Sequence, residues 1–285
     1  MRPVDYFDPK SLSEACTLLA ELGPDVKVLA GGTDLLLELR NSNHTSEKPL
    51  VDISKISGLR GIEESGDSIV IKPLTTHDDL LRSSLIAKWA PALAHAASMI
   101  GSPQIRNRGT VGGNIMNAAT CADTVPPLMV LNARVTLLSK RSEREVELGK
   151  FFIEPYRTIA TREEILAKIS FQKPPANARS SFVKLGRRNA VSIARLSVAA
   201  MLQLDHNGVI EDARIVPGSA FPTWQRVAEA EQVLVGKKGG KSLFEQAGKA
   251  VAETMISITG RRWSTEYKEP VIAVLVRRAL ELCLK

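Results

Sequence analysis

The sequence predicts an α+β protein with two small mixed lobes, followed by a C-terminal part that holds an antiparallel hairpin and three helices. Three observations lead to this prediction. Short apolar runs alternate with amphipathic helical patterns, two glycine turns roughly 80 residues apart each end such a run, and Pro174-Pro175 marks a linker. The predicted boundaries are 1–55 for the first lobe, 56–173 for the second and 176–285 for the C-terminal part.

The first lobe is predicted to begin with a helix over 11–22, because Ser11 and Glu14 form a capping box before a run with apolar side chains on one face. Residues 26–30 read as a short strand, and residues 35–40 return to a helix after the first glycine turn. The order of strand, glycine turn and helix start leaves backbone N–H groups at the positive end of a helix, which favours a phosphate. The polar residues 41–48 predict a mobile loop.

Strands are predicted at 50–53, near the end of the first lobe, and at 68–72 in the second lobe, on either side of a turn-rich segment at 58–66. Thr76 to Asp79 offers a helix start, and a first-turn proline opens another helix over 91–100.

Residues 101–108 lead into residues 109–123, a long run of small and amide side chains with few apolar anchors, unlike a typical core element. Asn114, Asn117 and Asp123 offer hydrogen-bonding groups, and their small neighbours would let a flat polar ligand approach closely. A polar surface loop is the alternative interpretation of this run.

The two glycine turns, at 30–35 and 110–114, together predict an anion site. Successive uncovered N–H groups form a concavity for anions, and two of them suit a ligand with two phosphates. Neither turn fits the Walker pattern GxxxxGK[ST] or the Rossmann pattern GxGxxG. Each turn alone could equally be an ordinary tight turn.

The C-terminal part is predicted to contain a strand at 181–185 and a hairpin over 198–216, because Asn207-Gly208 between two alternating runs is a strong hairpin signal. Lys184 lies in an alternating strand, where the pattern alone indicates an outward-facing lysine. The three predicted helices cover 223–235, 242–255 and 266–284.

Composition argues against several classes of protein. Three widely separated cysteines argue against a disulfide framework and for a reducing compartment, and four histidines without ligand spacing argue against an intrinsic metal site. Neither a secretory signal nor a membrane-length apolar stretch is seen, so a cytoplasmic protein without a membrane span is expected. The net charge of +7 is scattered in basic pairs with only 5% aromatic residues, which argues against nucleic-acid binding.

Six short motifs occur along the chain in an order that indicates a family more specifically than any one of them does. They are Tyr6-Phe7-Asp8-Pro9, the Ala30-to-Leu35 turn, Val51-Asp52-Ile53, the Thr110-to-Asn114 turn with Asp123 nine residues after it, Phe151-Phe152 with Tyr156-Arg157, and Glu163 to Leu166. This order resembles the FAD-binding medium subunit of the molybdenum hydroxylases, the family of xanthine dehydrogenase and aerobic carbon monoxide dehydrogenase. The resemblance implies a two-lobed FAD-binding fold of the vanillyl-alcohol-oxidase (PCMH) type with a carbon monoxide dehydrogenase flavoprotein-like C-terminal domain.

The resemblance also implies the residues that contact FAD. The first turn would bind the pyrophosphate and adenosine side, the second turn would supply further phosphate contacts, and Asp123 would accept hydrogen bonds from ribityl hydroxyls. Ile100 and Gly101 would lie beside the flavin ring, and Lys184 would favour a reduced, anionic flavin. The full predicted set is Val28, Leu29, Ala30, Gly31, Gly32, Thr33, Asp34, Leu35, Ile100, Gly101, Thr110, Gly113, Asn114, Met116, Asn117, Asp123, Ile165, Leu166 and Lys184.

The function implied by the resemblance is that of a separate electron-transfer subunit. It would work with a molybdenum-binding large subunit and a two-cluster iron–sulfur small subunit, which carry the molybdenum cofactor and the iron–sulfur clusters, and would reduce NAD⁺ or another acceptor. The absence of a cysteine cluster argues against the aromatic thioester reductase branch. A stand-alone flavin oxidoreductase, with His44 as the nearest residue for a covalent flavin link, and a non-catalytic scaffold remain the alternatives.

Overall fold

A computed structural model describes residues 5–41, 48–188 and 190–285. The first lobe is a three-stranded parallel sheet in the order β1-β3-β2, with two helices. Ser11 caps the first helix, since its Oγ accepts a hydrogen bond from the N–H of Glu14 at 3.1 Å. The predicted capping box is half formed, because the Glu14 carboxylate accepts from the N–H of Lys10 at 2.7 Å instead of that of Ser11. The elements are β1 (Tyr6–Phe7), α1 (Leu12–Leu22), β2 (Lys27–Leu29), α2 (Leu35–Asn41) and β3 (Leu50–Asp52).

The loop predicted at 41–48 can be compared with the structure only at its ends. Asn41 is the last residue of α2, whereas residues 42–47, with His44 among them, lie outside the described residues.

The second lobe is built on a five-stranded antiparallel sheet in the order β4-β5-β10-β6-β7. The central strand β10 places Ile169 between Ile71 and Val135, and all three are fully buried. A two-stranded ribbon, β8 with β9, lies beside this sheet. The elements are β4 (Ile62–Ser65), β5 (Ser68–Ile71), α3 (His77–Arg82), α4 (Ser84–Trp89), α5 (Pro91–Ser98), α6 (Pro103–Arg106), α7 (Val111–Asn117), α8 (Val125–Val130), β6 (Arg134–Leu138), β7 (Glu143–Glu147), β8 (Phe152–Glu154), β9 (Arg157–Thr158) and β10 (Ile165–Gln172).

Two expectations for this lobe are corrected by the structure. The segment interpreted as turn-rich contains β4, which pairs with β5 through a tight turn. The run 109–123 contains α7, and Val111 and Ile115 of this helix are fully buried, so part of this run is a core element. The i, i+4 spacing of these two residues was the available signal, but small and polar neighbours hid it.

The C-terminal part is a three-stranded antiparallel sheet in the order β11-β12-β13, followed by three helices. The predicted hairpin at Asn207-Gly208 joins β12 and β13. The first of the helices starts at Ala228, five residues later than predicted, while Trp224 is buried before it. The elements are β11 (Ala178–Leu185), β12 (Leu196–Leu204), β13 (Ile210–Gly218), α9 (Ala228–Leu234), α10 (Lys241–Thr259) and α11 (Thr265–Leu282).

Both faces of the C-terminal sheet are covered. Phe182 of β11 and Met201 of β12 pack into the core of the second lobe, whereas Val183 packs against the core shared with α10 and α11. Because side chains alternate along a strand, Lys184 lies on the same face as Phe182 and is directed toward the second lobe. The alternation of side chains along β11 therefore buries Lys184, although its local sequence pattern alone indicates a lysine exposed to solvent.

The first glycine turn packs against the backbone just before the second turn, and the second turn packs against Pro73. A Cβ at Gly31 would overlap the backbone oxygen of Arg108 and lie 2.8 Å from its carbonyl carbon, and a Cβ at Gly112 would lie 2.7 Å from the oxygen of Pro73. At these two positions, glycine allows close contact between protein backbones rather than approach to a ligand. The contact brings the first lobe against the second.

We expect Gly31→Ala to lower the free energy of unfolding by about 3 kcal/mol, because the new methyl group must push the first turn away from the backbone of Arg108 that leads into the second. Gly149→Ala is the matched control, since its Cβ would make only an ordinary contact of 3.6 Å with Met129; we expect a change within about 0.5 kcal/mol. Urea unfolding of both variants measures the difference, and equal stabilities would show that this close contact is not needed.

Candidate functional site

A cavity of about 290 Å³ lies where the two lobes meet. Its walls come from β2 and the start of α2 on one side, and from α7 and the start of β10 on the other. The predicted residues that line it are Val28, Ala30, Gly31, Gly32, Thr33, Asp34, Leu35, Thr110, Gly113, Asn114, Met116, Asn117, Ile165 and Leu166.

Several lining residues were missed by the sequence analysis. They are Lys27, Glu38, Ile53, Pro73, Leu74, His77, Gly109, Gly112 and Glu164. Lys27, Gly109, Gly112 and Glu164 adjoin predicted residues, whereas the other five come from strand, loop and helix positions that an analysis centred on two glycine turns does not single out.

The first turn leaves a row of backbone donors free. In the part of the chain that the structure describes, the N–H groups of Gly31, Gly32, Thr33 and Asp34 donate to no protein acceptor. Successive free N–H groups ahead of a helix form a favourable seat for phosphate oxygens. The first turn therefore has the predicted geometry of an anion site.

The second turn differs from its prediction, because its N–H groups are already used within the protein. It therefore offers the cavity small surfaces and side chains, not a second row of free donors. The Thr124 hydroxyl donates to Asn114 Oδ1 at 2.8 Å, which orients this amide. The four backbone bonds run from Val111 to Thr75 O (2.9 Å), Gly112 to Pro73 O (2.9 Å), Gly113 to Thr110 Oγ1 (3.1 Å) and Asn114 to Thr110 O (2.9 Å).

Leu29 and four further predicted residues do not line this cavity, and those four meet at a second cluster. Lys184 Nζ lies 2.6 Å from Asp123 Oδ2 and donates to the carbonyl of Met99 at 3.1 Å, next to Ile100 and Gly101. The Lys184 side chain is only 4% exposed and that of Asp123 only 6%, so the interpretation of Lys184 as an outward-facing lysine is wrong.

One oxygen of this buried carboxylate is without a partner. Asp123 Oδ1 is enclosed and receives no hydrogen bond from the described residues, whereas Oδ2 binds Lys184. Burial raises the pKa of the Asp123 carboxyl to about 6, even though Lys184 favours its ionised form. A ligand hydroxyl that donated to Oδ1 would satisfy this atom.

Arg106 lies at the same end of the site and has no carboxylate partner among the described residues. Its Nη1 donates to the carbonyl of Ile100 at 3.0 Å, its Nε is enclosed without a partner, and it forms no ion pair with the described residues. Since Lys184 is neutralised by Asp123 at 2.6 Å, the net positive charge of this cluster comes from Arg106.

His77 is a buried neutral histidine in the wall of the cavity. Its ring lies against Gly109, and no described residue hydrogen-bonds to it. Burial lowers the pKa of His77 to about 4, and Arg106 adds to this effect. The available sequence signal was its place at the first position of the helix predicted from Thr76.

Glu164 fixes the start of β10 at the cavity. Arg144 donates to both carboxylate oxygens at 2.7 and 2.9 Å, and the N–H of Thr161 donates to Oε2 at 2.7 Å. This pairing holds Ile165 and Leu166 in place against the cavity.

Comparison with known proteins agrees with this geometry. Residues 2–174 match the family model described as the FAD binding domain in molybdopterin dehydrogenase, and residues 181–282 match the CO dehydrogenase flavoprotein C-terminal domain. The two-lobed fold and its cleft are thus those of an FAD-binding flavoprotein. The chain belongs to the family of FAD-binding medium subunits of xanthine dehydrogenase and carbon monoxide dehydrogenase, which are oxidoreductases.

Individual relatives match over almost their whole length. The chain is 33% identical to the xanthine dehydrogenase FAD-binding subunit of Escherichia coli O157:H7, over 96% of this chain and 94% of the relative. It is 32% identical to the carbon monoxide dehydrogenase medium chain of Hydrogenophaga pseudoflava, over 97% and 95%. A solved structure of carbon monoxide dehydrogenase from that organism superimposes with a TM-score of 0.92 at 31% identity, over 100% of this chain and 99% of the other.

The described residues fit the FAD that the family implies. The free N–H groups of the first turn suit its diphosphate, and the unpartnered Asp123 Oδ1 suits a hydroxyl of its sugar chain. Within residues 5–41, 48–188 and 190–285, no cluster of His, Cys, Asp or Glu could hold a metal ion. No helix in these ranges is long and apolar enough to cross a membrane.

The lowered pKa of His77 predicts a loss of stability in acid. Between pH 6.5 and about 4 the unfolded chain binds a proton that the folded chain excludes. The stabilisation is complete above pH 6.5 and is lost as the pH falls through 4, by up to about 3 kcal/mol. His77→Gln removes this titration, so its unfolding free energy should fall less over this window than that of the unmodified protein.

Urea unfolding at a series of pH values measures this difference. Asp123 titrates in the same range with the opposite sign, because its raised pKa makes the folded chain bind the extra proton, but it is present in both proteins and cancels. Parallel pH profiles would contradict the buried neutral state of His77.

Proposed function

We propose that this chain is the flavin subunit of a heteromeric molybdenum hydroxylase, receiving electrons from an iron–sulfur subunit and passing them to NAD⁺ or another acceptor in the cytoplasm. The observation that carries the proposal is the row of four free N–H groups in the cleft of a chain that belongs to this flavoprotein family. Relatives named as medium chains or medium subunits support the partnership with a large and a small subunit.

In this proposal the first lobe holds the diphosphate. The N–H groups of Gly31 to Asp34 donate to phosphate oxygens without the cost of breaking protein hydrogen bonds. On the opposite wall, Asn114 is held by Thr124 and presents its amide N–H groups, while Ile165 and Leu166 supply apolar surface.

Asp123 holds the sugar chain and Lys184 holds Asp123. The lysine favours the ionised carboxylate and orients it, so that Oδ1 can accept a hydrogen bond from a hydroxyl. Arg106 supplies the uncompensated positive charge near Ile100 and Gly101, a role that the sequence analysis gave to Lys184. A positive charge there stabilises negative charge that develops on the cofactor.

Bound FAD supplies the electron chemistry, since it can take up electrons singly and release them as a pair. The residues of this chain bind it, orient it and set the charge around it. The organic substrate would react on the molybdenum-binding partner.

We expect Gly113→Leu to abolish FAD retention while Gly113→Ala preserves it. A Cβ at Gly113 would meet Thr110 Oγ1 at 2.9 Å and no other heavy atom within 4 Å, so both variants share this local strain. Only leucine extends further into the cavity. Flavin absorbance per mole of protein after gel filtration measures retention, and stoichiometric FAD in the leucine variant would overturn the assigned role of this wall.

The choice of acceptor is tested by anaerobic mixing of the FAD-loaded complex with NADH. If NAD⁺ is the acceptor, the reverse reaction bleaches the visible flavin absorbance in one binding-dependent phase. Bleaching by a quinol but not by NADH would identify another acceptor.

Two alternative functions predict other results. Substrate turnover by the isolated chain, or flavin that stays attached after acid precipitation, would favour the stand-alone oxidoreductase. Copurification with both partners without FAD would favour the scaffold.

A further inference from the structure

Three cations crowd together on the C-terminal part of the chain without a carboxylate among them. Lys268 of α11 lies near both Arg195 and Arg262, and burial together with these two charges lowers its pKa. None of the three forms an ion pair with the described residues. Crowding like charges opposes folding, so an external anionic surface would relieve a cost that the isolated chain bears.

Large exposed apolar side chains lie within two residues of these cations in the sequence. Trp263 follows Arg262 and is 93% exposed, Tyr267 precedes Lys268 and is 49% exposed, and Ile193 lies two residues before Arg195 and is 75% exposed. Trp, Tyr and Arg are the residues most enriched at the energetic centres of protein interfaces. We call these six residues the basic-aromatic patch.

Hydrogen bonds connect the patch to the buried end of the FAD site. Lys268 Nζ donates to Ser219 O at 3.1 Å, and the N–H of Ser219 donates to Thr120 O at 3.2 Å, three residues before Asp123. On the other side, the N–H of Arg195 donates to Leu185 O at 2.8 Å, next to Lys184. The patch therefore lies on the outside of the backbone that carries the Asp123–Lys184 pair.

We propose that the basic-aromatic patch docks an acidic, apolar-centred face of the iron–sulfur partner subunit. This inference rests on the proposed function, in which that partner delivers electrons. Docking at this position would place the donor close to the flavin end of the site, and acidic side chains on the partner would neutralise the three cations.

A protein face accounts for the patch better than a small anion does. A phosphate or a free nucleotide would use the cations but would leave Trp263 and Ile193 in water, where exposed apolar surface of this size is unfavourable. A protein partner covers both at once, with the charges giving orientation and rate and the tryptophan giving affinity.

The test measures binding of the purified iron–sulfur subunit to the FAD-loaded chain at several salt concentrations. At low salt, Arg195→Glu and Arg262→Glu should each weaken binding at least roughly tenfold, with the difference shrinking at high salt because screening removes it. Trp263→Ala should weaken binding by roughly 30-fold, at all salt concentrations. The rate of flavin reduction by limiting reduced partner should fall in parallel.

Arg141→Glu is the matched control, because Arg141 is an exposed arginine without an ion pair among the described residues and belongs to a different sheet edge. It should bind the partner like the unmodified chain. All four variants should retain FAD, since none of these residues lines the cavity.

The outcomes separate this inference from the proposed function. If the unmodified chain binds no iron–sulfur subunit, the proposed function fails. If the unmodified chain binds it and the patch variants bind equally well, the docking surface is elsewhere and this inference is overturned. It is also overturned if the variants bind the partner normally and instead lose affinity for NADH, which would make the patch a site for an anionic acceptor.

Discussion

The buried ion pair between Asp123 and Lys184 ties the second lobe to the C-terminal sheet. Both side chains are almost completely enclosed, and removing one partner of such a pair typically costs about 3 to 5 kcal/mol because the other charge stays buried without compensation. Lys184 can reach Asp123 only when β11 lies against α5, where Met99 follows the helix and accepts the second hydrogen bond of the lysine. The pair therefore fixes how the C-terminal part covers the lobe, and it leaves one carboxylate oxygen without a partner among the described residues.

At the opposite end of the site, the two glycine turns differ in whether their N–H groups are free to bind a ligand. The N–H groups of the first turn are free, whereas those of the second donate hydrogen bonds to Pro73, Thr75 and Thr110. These bonds make the second turn a rigid helix start. Rigidity on one wall and free donors on the other suit a ligand that must be held without reorganisation of the protein. Gly31 belongs to both functions, because its contact with Arg108 joins the walls.

In the proposed site, the cofactor would lie among side chains whose charge states are set by burial and ion pairing. The Asp123–Lys184 pair is neutral overall, His77 is kept uncharged by burial, and Arg106, near Ile100 and Gly101, has no counter-charge among the described residues. The cations of the basic-aromatic patch, which form no ion pair with described residues, lie on the outer surface, behind the backbone that carries the pair. In the proposed arrangement, the same stretch of chain would meet the cofactor on one side and a partner on the other.

Sequence alone determined the family, through the order of its motifs, and also the first glycine turn ahead of a helix, the capped helices and the hairpin at Asn207-Gly208, because each of these elements depends on a few neighbouring residues whose chemistry is local. Ordered motifs then pointed to Asp123 and Lys184. Only the tertiary structure decided that the N–H groups of the second turn are already bonded, that β4 forms in a turn-rich segment, and that Lys184 is buried. It also brought His77, Arg106 and Glu164 to the site. Each of these facts depends on partners far away in the chain, such as Pro73 for Gly112 or Asp123 for Lys184, and no local pattern encodes which distant atom a side chain or an N–H group will meet.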